Sequence, residues 1–304
     1  MKHIVLALLL SSFAICHSAF AAQPNVLLIY SDDHGWADLG AQGVDTDIRT
    51  PNLDQLARDG VRFMRGYVSA PQCVPSRAGV LTGRYQQKFG VEDNNKGPLP
   101  LAELTIAERL KPAGYVSGQV GKWHLTPPPR GKGKGGKGSE EEGDGGNNFQ
   151  PWTQGFDEYW CGAMRQYHAS HDLKGSPFAD APHMVGAEKN TLIWFIVDNG
   201  APLKEGAWDG SLNLPLVGEK GMLTDGGIRT PFVAAWPGRI PAGQTYEHPV
   251  SSLDVAATAV AVAGLPHEAA LDGVNLMPFL TDENRAAPHE AFYWRWRSQS
   301  AVLE

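Results

Sequence analysis

Cys73 is the residue whose type and neighbours indicate chemistry most directly. It begins the pattern Cys-x-Pro-x-Arg over residues 73–77, and the run that continues to Gly83 is compatible with a short helix. A cysteine at a helix N-terminus lies in positive electrostatic potential, which favours its nucleophilic thiolate form. The alternative without chemistry is a half-buried structural cysteine at the start of a helix, the ordinary role of an isolated cysteine.

Two adjacent carboxylates follow the first apolar run after the N-terminal segment. Residues 25–30 predict a buried strand of a parallel sheet, and Asp32 and Asp33 come one residue after it. The carboxyl ends of such strands are where α/β proteins bind ligands, and a hard cation relieves the repulsion between neighbouring carboxylates. For the dipeptide alone, a solvated aspartate-rich turn is the alternative.

A second buried strand, predicted at residues 191–197, ends in Asp198 and Asn199. Carboxylate and amide oxygens suit Ca²⁺ or Mg²⁺ better than zinc, which prefers nitrogen and sulfur ligands. If both strands lie in one parallel sheet, these side chains would face Asp32 and Asp33. The alternative is again a turn, which is common for the tripeptide Asp-Asn-Gly.

Further basic side chains stand where they could contact a ligand. Lys122 and His124 follow a strand predicted at residues 115–120, while His183 comes after a proline and Lys220 lies in a glycine-rich segment. Taken singly, each histidine could be a hydrogen-bonded structural residue and each lysine a solvated one.

The wider pattern of apolar residues alternates strands with helices. This alternation predicts an α/β fold with a mostly parallel central sheet and helices on both faces. The Trp/Arg alternation near the C-terminus favours an amphipathic strand, with sugar stacking as the alternative. Helices are predicted at residues 50–60, 104–110 and 253–263, and further strands at residues 61–68, 231–236 and 292–297.

Composition restricts the class of partner. The chain has 304 residues, enough for one large domain or two modest ones. Its net charge of −7 argues against general binding to nucleic acid, which requires a basic surface.

The N-terminal segment is typical of a bacterial secretory signal peptide over residues 1–21. A basic start precedes an apolar run at residues 4–10 and a small-x-small cleavage site at residues 19–21. The apolar run is too short to cross a bilayer, so we expect a periplasmic or secreted protein without a stable membrane anchor. An uncleaved N-terminal anchor is the alternative.

Several segments resemble, in the same order, those of the type I sulfatases. The Cys-x-Pro-x-Arg pattern is similar to the family's signature for oxidising cysteine to formylglycine, and residues 218–231 are similar to the segment with a substrate-binding lysine. Shorter matches are Gly-Lys-Trp-His-Leu at residues 121–125, Gly-Phe-Asp at 155–157 and Pro-His at 182–183. The resemblance covers most of residues 25–297 and implies the alkaline-phosphatase-like α/β fold.

The resemblance implies an enzyme that releases sulfate from a sulfated carbohydrate or an aryl sulfate. Its nucleophile would be hydrated formylglycine made from Cys73, which requires a formylglycine-generating or equivalent maturation enzyme as a partner. Cys16 would leave with the signal peptide. Cys73 and Cys161 could otherwise form a disulfide in an oxidising compartment, but modification of Cys73 would leave Cys161 as a lone, buried thiol.

The resemblance also implies a role for each residue of the site. One divalent cation, usually Ca²⁺ with Mg²⁺ as the second choice, would be bound by Asp32, Asp33, Asp198, Asn199 and the residue made from Cys73. Hydrated formylglycine would be held by Arg77 and His124, and sulfate binding or protonation of the leaving alcohol would fall to Lys122, His183 and Lys220.

The chain departs from the family in two places. The segment between His183 and Asp198 is very short, and little follows Arg297, so a strand and long helix and most of a C-terminal sheet subdomain are expected to be missing. Two other functions therefore stay open: a shortened, non-catalytic protein that binds sulfated glycans, and a related phosphate or phosphonate ester hydrolase. The expected organisation is a signal peptide at 1–21, a catalytic domain at 22–297 with a flexible Gly/Lys/Glu-rich insertion at 127–148, and a tail at 298–304.

Overall fold

The computed structural model of the protein describes residues 23–44, 47–127, 149–162, 190–208, 210–284 and 286–304. The expected signal peptide, nearly all of the expected insertion and His183 lie outside these residues. Among the helices of the described ranges, none is both long and apolar enough to cross a bilayer.

Strands of the described residues form four sheets. In chain order they are β1 (Asn25–Ser31), β2 (Val61–Phe63), β3 (Gly66–Tyr67), β4 (Gly118–Lys122), β5 (Glu158–Gly162), β6 (Thr191–Val197), β7 (Phe232–Ala235), β8 (Gln244–Tyr246), β9 (Val250–Ser251), β10 (Phe292–Trp296) and β11 (Gln299–Leu303).

The main sheet has five strands in the order β1-β6-β7-β2-β8. Strand β1 runs parallel to β6 and β2 runs parallel to β8, whereas β7 is antiparallel to both of its neighbours. The chain leaves β6 at its carboxyl end and enters β7 beside that same end, which makes this pair antiparallel. The predicted α/β class is confirmed, and the two antiparallel pairings make the sheet mixed.

The three small sheets pair β3 with β9, β4 with β5, and β10 with β11. The strand predicted at residues 61–68 is divided in two, since β2 and β3 pair with different partners. The strand predicted at residues 115–120 begins later, as β4, and pairs with β5 outside the main sheet.

Residues 298–304, expected to be a tail, contain strand β11. Its backbone pairs with β10, while Ala301 and Leu303 pack against the main hydrophobic core. The expectation of a tail is therefore wrong, because the alternating apolar side chains of this segment pack against the main hydrophobic core.

The helices are short, and α1, α2 and α5 lie close to the predicted positions. They are α1 (Pro51–Asp59), α2 (Cys73–Thr82), α3 (Ile106–Leu110), α4 (Asp225–Ile228), α5 (Asp254–Val262) and α6 (Met277–Leu280). Single 3-10 turns occur at Trp36–Asp38, Gly40–Gln42, Gln86–Phe89, Lys111–Ala113 and Pro151–Gln154.

Strand β6 shows how the main sheet is covered on both faces. Trp194 and Ile196 pack into a core cluster that includes side chains of α2 and α5. Phe195 and Val197, which alternate with them, pack into another cluster that includes a side chain of α1. Helices therefore cover opposite faces of the sheet, as the sequence predicts, and fix the end of β6 in position.

Candidate active site

Strands β1 and β6 end side by side and bring four predicted ligand residues together. Because Ser31 pairs with Val197 at the ends of these parallel strands, the residues that follow meet at one edge of the sheet. The N–H of Asp33 donates to Oδ1 of Asp198 at 3.1 Å, and Nδ2 of Asn199 donates to Oδ1 of Asp33 at 2.7 Å. Asp33 has a left-handed backbone, with a φ of 56°, which is uncommon outside glycine and frequent at functional sites.

Cys73 is the first residue of α2, and its side chain points at the same cluster. The residue is only 2% exposed, and Nζ of Lys220 lies 3.2 Å from its Sγ. Burial raises the pKa of the Cys73 thiol to about 12, and the charge of Asp198 adds to this effect. The expectation that the helix start favours a thiolate is therefore wrong for the unmodified residue, because burial outweighs the nearby positive charges.

The cluster fits a divalent cation. Ligand atoms of Asp32, Asp33, Cys73 and Asp198 all lie within 4.8 Å of one another. Oδ1 of Asn199 is buried beside them and has no hydrogen-bond partner within the described residues. Buried polar oxygens normally have partners, and oxygen ligands are those that Ca²⁺ and Mg²⁺ prefer. The structure thus brings together every residue that the sequence predicts as a metal ligand.

Three basic side chains surround the carboxylates. Arg77 is nearly buried and donates through Nη2 to Oδ2 of Asp198 at 3.0 Å and to Oδ1 of Asp32 at 3.2 Å. Nζ of Lys122 lies 2.6 and 2.8 Å from the two carboxylate oxygens of Asp32. Nζ of Lys220 lies 2.6 Å from Oδ2 of Asp33. Each predicted lysine is therefore held at the site by one carboxylate.

Asp32, which is partly exposed, and Asp198, which is buried, differ in their preferred charge. Burial would raise the pKa of Asp32, but its hydrogen bonds with Asp198 and Lys122 outweigh burial and hold that pKa well below its usual range. Burial raises the pKa of Asp198, and the Asp32 carboxylate adds to this despite the opposing charge of Arg77. A cation bound between the two would favour the ionised form of both.

His124 lies in the wall of the same site, two residues beyond β4. Its backbone is left-handed, with a φ of 60°, and its Nδ1 atom is buried without a hydrogen-bond partner in the described part of the chain. Burial, followed by the charges of Lys122 and Arg77, lowers the pKa of His124 to about 4. The imidazole is therefore neutral at pH 7. His183, the other predicted histidine, lies outside the described residues.

A cavity of about 430 Å³ opens above these groups, which is large enough for a sulfated sugar ring. Sequence reasoning missed its outer wall, which comes from the second residue of α2 and from two loops. The sequence carries no signal for these residues, since a short asparagine pair is ordinary in a loop. The missed residues are Val74, Asn94, Asn95, Thr126 and Pro127.

Glycines let the loops after β6 and around α4 approach each other closely. A Cβ at Gly200 would lie 1.8 Å from the carbonyl oxygen of Gly226, and the N–H of Gly200 donates to the carbonyl oxygen of Gly227 at 3.1 Å. These positions exclude any side chain, because no Cβ fits that close to a backbone oxygen. The contact fixes the loop of Lys220 against the end of β6.

Comparisons with known proteins agree with this geometry. The family model "Sulfatase" matches residues 24–177 and 183–265. Arylsulfatase A of Bos taurus is 32% identical over 91% of this chain and 71% of its own length. N-acetylgalactosamine-6-sulfatase of Homo sapiens is 28% identical over 90% of this chain and 68% of its own length.

A solved structure supports the same assignment. The crystal structure of Ps i-CgsB in complex with k-i-k-neocarrahexaose is 27% identical, with a TM-score of 0.73, and the match covers 92% of this chain and 82% of that chain. The family model and the arylsulfatase match span most of the chain, including both strands that end at the site. The chain belongs to the sulfatase family and is a sulfuric ester hydrolase.

Proposed function

We propose that this sulfuric ester hydrolase releases sulfate from a sulfated carbohydrate, using formylglycine made from Cys73 and one bound Ca²⁺. One observation carries the proposal: Cys73 Sγ lies in a cluster of three carboxylates and 3.2 Å from Nζ of Lys220. A nucleophile placed among a cation site and a lysine suits attack on an anionic ester, because positive charge offsets its repulsion of the nucleophile.

The proposed cation would be held by Asp32, Asp33, Asp198, Asn199 and residue 73. It would supply Lewis-acid polarisation of a sulfate oxygen, and hydrated formylglycine would supply the attacking hydroxyl. The unpartnered Oδ1 of Asn199 supports the presence of a cation. We choose Ca²⁺ over Mg²⁺ because the crowded set of protein ligands leaves little room for the waters that Mg²⁺ retains.

The basic residues would bind the sulfate group and maintain the geometry of the site. We assign Lys220 to the sulfate oxygens nearest residue 73, since its ammonium lies between Asp33 and Cys73. Lys122 would bind a sulfate oxygen from the side of Asp32. Arg77 directs its Nη atoms to carboxylates and to the backbone oxygen of Lys122, so we assign it to holding the site in shape.

Proton transfer to the leaving alcohol requires a donor in its protonated form close to the ester oxygen. We propose His183 for this role on the sequence resemblance, and we propose that His124 orients the hydroxyls of residue 73. The low pKa of His124 supports the second assignment, because a neutral imidazole can accept a hydrogen bond at pH 7.

A carbohydrate substrate is favoured by the polar outer wall of the cavity. Asn95 and Thr126 place amide and hydroxyl groups there, and these groups suit hydrogen bonding to sugar hydroxyls. The names of two similar proteins, an N-acetylgalactosamine-6-sulfatase and a protein crystallised with k-i-k-neocarrahexaose, point to the same substrate class. The pattern at residues 1–21 supports export to the periplasm or beyond.

Substitution of the nucleophile tests the proposal. We expect Cys73→Ala to abolish sulfate release from sulfated sugars and 4-nitrophenyl sulfate, while the circular dichroism spectrum stays that of the wild type. Cys161→Ala is the matched control, because that thiol is not among the clustered ligand atoms of the described residues and its loss should leave turnover intact. Turnover by Cys73→Ala would contradict the formylglycine mechanism, and faster turnover of matched phosphate esters by the wild type would favour the phosphate or phosphonate hydrolase.

A further inference from the structure

Asn94 reaches the backbone on both sides of residue 73. Val74 lies in the first turn of α2, where amides have no partner inside the helix. The N–H of Val74 instead donates to Oδ1 of Asn94 at 3.0 Å. The N–H of Asn94 donates to Oε1 of Gln72, on the other side of Cys73, at 3.4 Å.

These two hydrogen bonds, which we call the Asn94 bracket, replace an ordinary helix cap. Gln72 occupies the N-cap position, but its side chain makes no capping hydrogen bond. Pro75 has no N–H, so the Val74 amide is the first-turn donor beside residue 73 that needs an acceptor. A residue 20 positions away along the chain provides that acceptor.

From this geometry we infer that Asn94 is a positioning residue, which fixes the backbone at residues 72–74 and so aims the side chain of residue 73 at Lys220. The inference rests on the proposed function, because it assigns residue 73 the role of nucleophile. Asn94 also lines the cavity, but its contacts with the backbone of α2 set it apart from Asn95 beside it.

The hairpin of β10 and β11 holds Asn94 in place. Arg297 Nε lies 2.9 Å from Oδ2 of Asp93, and Arg295 forms two hydrogen bonds, of 2.8 and 3.1 Å, with the carboxylate of Glu92. The ring of Trp296 packs beside Gly221, the neighbour of Lys220. One C-terminal hairpin thus supports both the loop of Asn94 and the loop of Lys220.

Loss of this bracket should affect turnover more than substrate binding. A shift of about 1 Å in a reacting group can cost on the order of 100-fold in rate. The lysines that would bind sulfate are held by Asp32 and Asp33, which Asn94 does not contact. We therefore expect Asn94→Ala to lower kcat by about 10- to 100-fold and to change KM by less than about threefold.

The matched control is Asn275→Ala. Oδ1 of Asn275 accepts from the N–H of Met277 at 3.1 Å, so it caps the start of α6 much as Asn94 caps α2, but away from the site. Both variants lose one helix-capping bond, and both should lose a similar free energy of unfolding. Only Asn94→Ala should have a lower kcat than the wild type when rates are expressed per folded molecule.

Two further measurements separate positioning from a general loss of structure. Hydrogen exchange of the Val74 amide should accelerate in Asn94→Ala and stay slow in Asn275→Ala. Asn94→Asp keeps the acceptor, and a carboxylate is favourable at a helix N-terminus. It should restore slow exchange and bring kcat to within about threefold of the wild type, while KM rises because the added charge repels an anionic substrate.

Each outcome decides the inference. An Asn94→Ala enzyme with kcat within about twofold of the wild type, or one with a raised KM alone, would overturn it. An Asn94→Asp enzyme as slow as Asn94→Ala would overturn it as well. If the wild type itself releases no sulfate, the proposed function fails, and unchanged exchange of the Val74 amide in Asn94→Ala would then overturn the inference separately.

Discussion

Strands β6 and β4 each lead to two residues of the site, but the rest of the molecule supports them very differently. Strand β6 lies inside the main sheet between β1 and β7, and Trp194 and Ile196 are fully buried. Strand β4 pairs only with β5 among the described strands, and Val120 is 81% exposed. A cavity of about 440 Å³ lies between β4 and β1, the strand that pairs with β6.

This contrast separates the two tasks of the site. The residues after β6 are proposed metal ligands, which would have to hold fixed distances of a few ångströms to a cation. The residues at and after β4, Lys122 and His124, would contact a substrate that differs between members of the family. A buried, doubly paired strand provides rigid geometry, whereas a strand with few buried contacts opens at a lower free energy.

The largest expected difference between the two regions is in stability. Trp194→Ala should lower the free energy of unfolding by about 3–5 kcal/mol, because it leaves a large cavity between the sheet and the helices of its core cluster. Val120→Ala should change it by less than about 0.5 kcal/mol, since that side chain is already in solvent. Urea denaturation of the two variants measures both free energies of unfolding. A similar decrease in both variants would contradict the proposed difference in stability between the β6 and β4 regions.

Of these two regions, only the β6 region should contribute to the effect of calcium. At about 100 times its dissociation constant, Ca²⁺ should raise the free energy of unfolding of the wild type by about 2.7 kcal/mol. Asn199→Ala removes a proposed ligand and should lose most of this gain, whereas His124→Asn should keep it. Thermal denaturation with and without Ca²⁺ provides the test, and a loss of the gain in both variants would show that the two regions bind the cation together.

A smaller effect should appear in the pH dependence of stability. The pKa of His124 is lowered to about 4 in the folded protein, from an ordinary value of 6.5, first by burial and then by Lys122 and Arg77. Between these pH values the unfolded chain binds more protons than the folded one, so stability falls as the pH falls from 6.5 towards 4. With allowance for solvent screening of a partly exposed group, this loss is on the order of 1 kcal/mol.

The variant His124→Asn should reduce this loss. Asparagine tolerates the left-handed backbone at that position and carries no proton in this range. Denaturation at several pH values from 7 to 4 compares the two slopes. Equal slopes would mean that His124 is solvated and that the β4 region is more open than its buried Nδ1 atom indicates.

Local pattern predicts the two strands that end at the site. The predicted strand at residues 191–197 is the buried strand β6. The apolar run at 25–30 is β1 without its last residue, but the predicted burial of this strand is wrong, because β1 lies at the edge of the main sheet among the described strands and none of its residues is buried. Because both strands are parallel and end in register, the meeting of their acidic residues could be predicted from sequence. The Cys73 and Lys220 segments added two more positions through resemblance to the sulfatases, and the structure brings both to the same cluster.

Long-range contacts explain what the sequence does not show. The loop of Asn94, which contacts the start of α2, forms ion pairs through Glu92 and Asp93 with a hairpin more than 200 residues away. The state of the Cys73 thiol depends on burial by the whole site, which outweighs the local effect of the helix start. The placement of β4 outside the main sheet depends on its pairing with β5. None of these contacts leaves a pattern in neighbouring residues.

The close approach of Gly200 to Gly226 has a consequence for how this enzyme can vary. In a saturation mutagenesis experiment, both glycines would tolerate substitution as poorly as Asp198, although neither carries a chemical group that could contact an ester. Sensitivity to mutation is therefore a poor guide to chemistry in this part of the chain. Libraries that aim at a new sulfated substrate have more freedom on the opposite rim, at Asn95 and Pro127, where side chains border the cavity without holding two backbones together.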